Sequence, residues 1–413
     1  MRPLSFSLSL LSLSSLTLMG ALSAVSYAQT PEPHAQPQAQ AQQPQPQAQE
    51  KTLKERVSRL LREAPLIDGH NDVAWQLRKR AQNQLSALDL AQSTQDKAMH
   101  TDLQRLKEGG LGAQFWSVYV PASLAPSEAV QATMEQIDVV KRMVARYPEQ
   151  LELAMSADEV EAIHKRGKLA SLIGMEGGSS MGHSLGVLRQ LYALGARYMT
   201  LTHSKTLPWA DSATDEPQHD GLSAFGEEVV REMNRLGMII DLSHVAPSTM
   251  RDTLKVSEAP VLFMHSGARA VCDHPRNVPD DVLEQLKERD GVVMVVFLPS
   301  YLKCGAKGAS LDHAEVTISD VVAHIDHIKR VAGVEHIGIG GDYDGMNHAP
   351  HGLEDVSTYP NLLAALLERG YSEAEVKLIM GGNTLRVMRK VEAAAARLKS
   401  SAPSETPPLH WVE

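Results

Sequence analysis

The stretch that decides the fold is "MIIDLSHVAPSTMRDTLKVSEAPVLFMHS", residues 238 to 266. An apolar run, MIIDLS, ends in His244; a short helical segment, PSTMRDTLKVS, follows; a second apolar run, VLFM, ends in His265. The histidines are 21 positions apart, enough for one short helix and the next strand. The spacing predicts equivalent positions on neighbouring strands.

The same pattern repeats in both directions. Further apolar runs lie at 66 to 68 (LID), 113 to 120 (AQFWSVYV), 169 to 175 (LASLIGM), 197 to 202 (RYMTLT), 291 to 298 (GVVMVVFL) and 336 to 341 (HIGIGG). Several are continuously apolar, as expected of strands covered on both faces. Helical patterns such as GLSAFGEEVVREMNRLG and VPDDVLEQLKERDG fall between them. The second opens on Asp280 and Asp281 and is followed by Gly291, as helix-end electrostatics prefer. Eight strands alternating with helices predict an α/β fold, a (β/α)8 TIM-type barrel forming a single catalytic domain over residues 51–397. The rival is a doubly wound open sheet.

In a barrel the C-terminal strand ends share one mouth. The residues that follow the runs are His70 and Asp72, Glu176, His203, His244, His265 and Asp342. A single strand-end histidine is more often a hydrogen-bonded loop residue, and LIDGHND alone also reads as a turn. Several at matching positions point to a metal site. Two imidazoles, a His-x-Asp pair and a glutamate offer nitrogen and oxygen donors for two divalent ions, zinc above all. Such ions, about 3.5 to 4 Å apart, could share Glu176. His203 is then free to polarise a scissile carbonyl, and Asp342 to carry a proton to a leaving amine. Arg276, in CDHPRNVPDD, suits either a bidentate pair with a substrate carboxylate or a surface salt bridge with Asp280 or Asp281. His324 and His327 in AHIDHIKR belong to an outer helix, where solvated or capping roles are expected. His183, His219, His313, His348 and His351 fall in loops.

Composition sets the frame. The chain has 413 residues, 43% apolar and 22% charged, with a net charge of −10, which allows a large core and argues against general affinity for nucleic acid. Residues 1–28 read as a signal peptide ending in Ser26-Tyr27-Ala28, with no adjacent cysteine for a lipid. The expectation is an exported protein, periplasmic or secreted, without a stable membrane anchor. Residues 29–50 are a Pro/Gln/Ala-rich linker expected to be disordered, and 398–413 a loop-like tail. In an exported chain Cys272 and Cys304 are a disulfide candidate; in a reducing compartment they would be buried thiols. A bond across 32 positions is worth about 3 to 4 kcal/mol in the chain-entropy model.

With LIDGHND, GMEGG, LTHS and the nearby PWAD, IDLSH, PVLFMHS, RNVPDDVL, GGDYDG and GGNTLRV in hand, residues 65 to 389 resemble the membrane dipeptidase (renal dipeptidase) family of amidohydrolase-like zinc metallopeptidases. The resemblance implies two zinc ions, with His70 and Asp72 on the first, His244 and His265 on the second, and Glu176 bridging. It implies His203 and Arg276 as holders of the scissile carbonyl and the terminal carboxylate of a dipeptide substrate. Asp342, which directly follows Gly340-Gly341, is implied as the acid/base residue rather than Asp344. It further implies tolerance of a D-residue at the C-terminal position, β-lactam opening in some members, and a homodimer. The alternatives are a metal-dependent amidohydrolase acting on another amide or lactone, and a non-catalytic exported binding protein.

Overall fold

The strands form where short runs of branched and aromatic side chains are apolar on both faces. The structure, a computed structural model, describes residues 46–305 and 315–409. Nine strands occur among them: β1 Leu66–Asn71, β2 Leu111–Ser117, β3 Leu151–Leu153, β4 Leu169–Met175, β5 Ala196–Thr200, β6 Ile239–Asp241, β7 Leu262–Ser266, β8 Val292–Val295 and β9 Ile337–Ile339. All pairings between them are parallel. The order β2-β1-β9-β8-β7-β6-β5-β4, closed by β2 against β4, makes an eight-stranded barrel and excludes the open sheet.

Two expectations change. β3 is an additional strand, which pairs with β4 at Leu169–Ser171 while β5 pairs with it at Ile173–Met175. Three residues with a glutamate at the centre are too few to register as an apolar run. Helix α1 runs Pro46–Glu63, so residues 46–50 belong to a helix and not to the linker. The proposed signal peptide, linker residues 29–45, His313 and the last four residues of the tail lie outside the described residues. Among the described residues no helix is long and apolar enough to cross a membrane.

The barrel is filled. Ile67, Phe115, Leu172, Tyr198, Met264 and Met294 are buried within one cluster, whereas the helices are packed over the outer strand faces. The filling explains two glycines. A Cβ at Gly69 would lie 2.6 Å from the Met264 carbonyl oxygen, so Gly69 serves close packing inside β1. A Cβ at Gly174 would lie 1.9 Å from the Tyr198 ring, so this glycine makes room for that tyrosine.

Helix ends carry their own stops. The helix Ala224–Leu236 starts at Ser223, whose side chain accepts from the Gly226 amide, and stops at Gly237 in the left-handed region. The helix Asp280–Arg289 stops two positions before Gly291, with Asp290 taking the left-handed cap. The last helix runs Asn383–Leu398. Beyond it the tail is held against the barrel's outer helices, with Ser404 donating to Glu228 and Glu232 and accepting from Arg189.

Candidate metal centre and active site

The strand ends deliver the histidines and carboxylates to one buried point. His70 lies within β1 and His265 within β7, one residue before each strand ends rather than beyond it. Asp72 immediately precedes helix α2, Val73–Ala81, and does not cap it with its side chain. Glu176 follows β4, and His203, His244 and Asp342 follow β5, β6 and β9. His244 and Asp342 hold φ of 69° and 64°, in the left-handed region that non-glycine residues rarely adopt. Such strain, of order 1–3 kcal/mol each, persists where the surroundings fix a side chain's direction.

Glu176 is the centre of the cluster. Its Oε1 lies 3.0 Å from His244 Nε2 and 3.4 Å from His265 Nε2. Its Oε2 lies 3.6 Å from His70 Nε2, which is in turn 3.2 Å from Asp72 Oδ2. One carboxylate thus turns one oxygen to each half of the cluster. His70, Asp72 and Glu176 could hold one ion, and Glu176, His244 and His265 another.

The donor chemistry fits cations. His70 Nε2 and Asp72 Oδ1 are buried without a hydrogen-bond partner among the described residues. His244 Nε2 and His265 Nε2 stand 2.9 Å apart, a contact in which at most one can carry the intervening proton. Burial, with Arg276 and His203 beside one ring and His70 beside the other, holds His244 and His265 well below the usual imidazole range. Both rings are therefore held uncharged at neutral pH, the form that ligation requires. At His70 burial opposes protonation, but Tyr198, Glu176 and Asp72 together raise the pKa well above the usual range. The anions around His70 thus favour positive charge there, and a proton and a metal ion compete for it. Burial works against a charged Glu176 too, yet His70, His203 and the hydrogen bonds from His244 and His265 hold it well below the usual range.

Supporting residues orient these groups. His70 Nδ1 is 2.9 Å from the Tyr198 hydroxyl, the ring for which Gly174 makes space. Asp68, fully buried in β1, accepts from the amides of His70 and Gly341 and from the Tyr359 hydroxyl, tying β1 to the segment bearing Asp342. Asp241 does the same for β6 and β7, accepting from the amides of Ser243 and Met264 and from Thr200. Outer partners of this kind fix ligand orientation. Sequence reasoning missed all three, although LIDGH and IIDLSH each place an aspartate just before a strand-end histidine.

The centre opens into a cavity of about 300 Å³, the size of a small ligand. Trp75, Gln76 and Lys79 of α2 line one side, and Arg276, Leu298 and Tyr301 another. Asp342 lies between, its pKa pushed up to about 8 by burial and by Asp72 and Glu176, against the pull of His70 and Arg276. Gly345 belongs to the same wall, because a Cβ there would stand 2.3 Å from Asp72 and 2.5 Å from Asp342. His203 packs edge-on against Tyr119, with its Nδ1 buried and unpartnered. A larger cleft, about 780 Å³, lies at the opposite end of the barrel, where Leu111, Leu151 and Leu169 begin their strands. Barrel enzymes do not place chemistry at that end.

Arg276 is buried and makes no salt bridge with Asp280 or Asp281: Asp281 is held by Arg251 and Asp280 by His327. Its guanidinium donates to the His265 carbonyl and lies over the Tyr301 ring, 5.2 Å from the centroid. Among the described residues no carboxylate pairs with it, which is costly for a buried cation and suits an anionic ligand. Its loop is anchored by the Cys272–Cys304 disulfide and by Asn277, which donates to the carbonyls of Cys272 and Tyr301. His324 and His327 are not solvated. His324 accepts from the Ala268 amide and bonds the Leu302 carbonyl. None of His183, His219, His348 and His351 lines the cavity.

Comparisons with known proteins find similarities in both sequence and fold. The family model of the membrane dipeptidases, peptidase family M19, matches residues 54–402. The chain is 48% identical over 358 residues to Dipeptidase 3 of Mus musculus, covering 86% of this chain and 70% of that protein. A metallopeptidase of Rhodobacter sphaeroides, solved with a phosphinate mimic of the dipeptide L-Ala-D-Ala, is 27% identical with a TM-score of 0.72, over 79% of this chain and 99% of that one. The probable dipeptidase PvdM of Pseudomonas aeruginosa, 23% identical with a TM-score of 0.73 over 84% of this chain and 100% of that one, shares the fold.

Proposed function

The chain belongs to the membrane dipeptidase family of metallopeptidases, and from that premise we propose an exported binuclear zinc dipeptidase acting on dipeptides with a free C-terminal carboxylate. The observation that carries the proposal is a buried Arg276 with no carboxylate partner among the described residues, in the same cavity as a split Glu176 flanked by three imidazoles. Nitrogen and carboxylate donors in this mixture favour zinc. Export is supported by the leader-like N-terminus and by a disulfide, which persists in oxidising compartments.

Each residue has a task. His70 and Asp72 would hold one ion and His244 and His265 the other, with Glu176 offering an oxygen to each. The ions, when bound, supply Lewis-acid activation of the attacking water and of the scissile carbonyl. Arg276 takes the terminal carboxylate as a fork of two hydrogen bonds, which limits substrates to two residues, because a longer chain presents an amide there. His203 donates to the carbonyl oxygen as negative charge develops on it. Asp342 accepts a proton from the water and delivers it to the leaving nitrogen as the C–N bond breaks.

A D-residue at the C-terminal position is accommodated in this proposal, in keeping with the L-Ala-D-Ala mimic in the Rhodobacter relative. A β-lactam carrying a carboxylate offers the same two handles, an amide and an anion. The test compares L-Ala-D-Ala with its C-terminal amide, with and without chelator. The dipeptide should be cleaved at least thirtyfold faster, about the 2 kcal/mol or more that a buried charge pair is worth. Arg276→Ala should erase the difference, and chelator should stop both reactions. Metal-independent hydrolysis refutes the mechanism, equal rates on the two substrates favour another amide or a lactone, and zinc content without turnover favours a binding protein.

A further inference from the structure

We propose that Lys79 is a specificity-determining residue that favours dipeptides whose N-terminal residue carries a side-chain carboxylate, glutamyl dipeptides above all. The assignment rests on the dipeptidase reading and deepens it.

Helix α2 begins directly after Asp72, and positions 72, 75, 76 and 79 fall on one helical face. All four line the cavity. Three consecutive cations end this helix, and two are committed: Arg78 binds Glu135, and Arg80 donates to Gln76 Oε1. Lys79 has no ion pair or hydrogen bond among the described residues. The cation that faces the cavity is thus the one left uncommitted.

Position across the mouth decides which part of the substrate it meets. Arg276 follows β7, and Leu298 and Tyr301 follow β8, whereas α2 follows β1. In the closed barrel β8 and β9 separate β7 from β1. With the terminal carboxylate on Arg276 and the scissile bond at Glu176 and Asp342, the N-terminal residue extends toward α2. Seven helical residues put the Lys79 backbone about 10 Å from Asp72 along the axis. Long helical side chains lean back toward the helix N-terminus, which brings the ammonium over the cavity. That span suits the longer glutamate better than aspartate.

Charge makes the discrimination. Asp72, Glu176, Asp342 and Asp344 line the same cavity, and among the lining residues only Lys79 and Arg276 are Lys or Arg. Arg276 is occupied by the terminal carboxylate in the proposed complex. A second substrate carboxylate therefore has Lys79 as its partner.

The test measures kcat/KM for Glu-Ala and Gln-Ala, an isosteric pair differing in charge, at low ionic strength. The Glu-Ala to Gln-Ala ratio should fall about three- to fivefold in Lys79→Met, the worth of a solvent-exposed ion pair, and further in Lys79→Glu. The change should lie in KM and shrink at high salt. An unchanged ratio, a change confined to kcat, or a shift seen for Ala-Glu against Ala-Gln instead would overturn the assignment. Hydrolysis of neither dipeptide by the unaltered protein brings down the dipeptidase reading itself, and this assignment with it.

Discussion

Two groups of histidines in this barrel have the same side chain and opposite fates. On the helix Ile318–Val331, His324 and His327 are satisfied by protein: His324 by the Ala268 amide and the Leu302 carbonyl, His327 by Asp280. At the mouth, His70, His244 and His265 converge on one carboxylate, with His70 Nε2 left without a hydrogen bond and the other two Nε2 atoms facing each other. Burial is common to both groups and so does not separate them. What separates them is whether the ring nitrogens have partners, since an unpartnered buried donor or acceptor costs about 1–3 kcal/mol and needs an explanation.

Substitutions can break this contrast, beginning with the largest effect. His244→Ala should reduce dipeptide hydrolysis by more than the roughly 10- to 100-fold typical of residues that only support a ligand, and bound metal should fall with it by elemental analysis. Tyr198→Phe removes the oxygen next to His70 Nδ1; zinc affinity should drop about tenfold or more in a competition titration while the folded barrel persists. His324→Phe strands the Ala268 amide and the Leu302 carbonyl. It should cost about 1–3 kcal/mol in denaturant unfolding with zinc content unchanged. His327→Gln, whose partner Asp280 is partly exposed, should cost under about 1 kcal/mol. Loss of zinc on changing His324 or His327, or full activity in His244→Ala, would erase the distinction between the groups.

The parts of this architecture that depend on local pattern were legible in the sequence. Eight barrel strands show as apolar runs because strands buried on both faces cannot hide their composition. Strand-end residues show because a barrel sends every strand's C-terminal end to one mouth. What depends on a distant partner did not show. Tyr198 sits in RYMTLT like any core aromatic, and its approach to His70 depends on Gly174 in another strand. Asp68 and Asp241 look like strand-end polar residues until their amide donors in neighbouring strands are known. Arg276 was open to two readings because Arg251 and His327, not its sequence neighbours, decide who holds Asp281 and Asp280. Lys79 was within reach, since helical periodicity from Asp72 puts it on the same face.

The Cys272–Cys304 bond constrains the mouth independently of any metal ion. It joins the loop bearing Arg276 to the segment after Tyr301, and Asn277 bridges the same two regions.

The central claim, a two-ion centre built on the two oxygens of Glu176, is tested most directly by titrating zinc into chelator-stripped protein while following dipeptide hydrolysis. Full activity is expected to return with two equivalents of zinc per chain, and Glu176→Ala is expected to bind less and to stay inactive. Activity without metal, or full recovery at one equivalent, would contradict it.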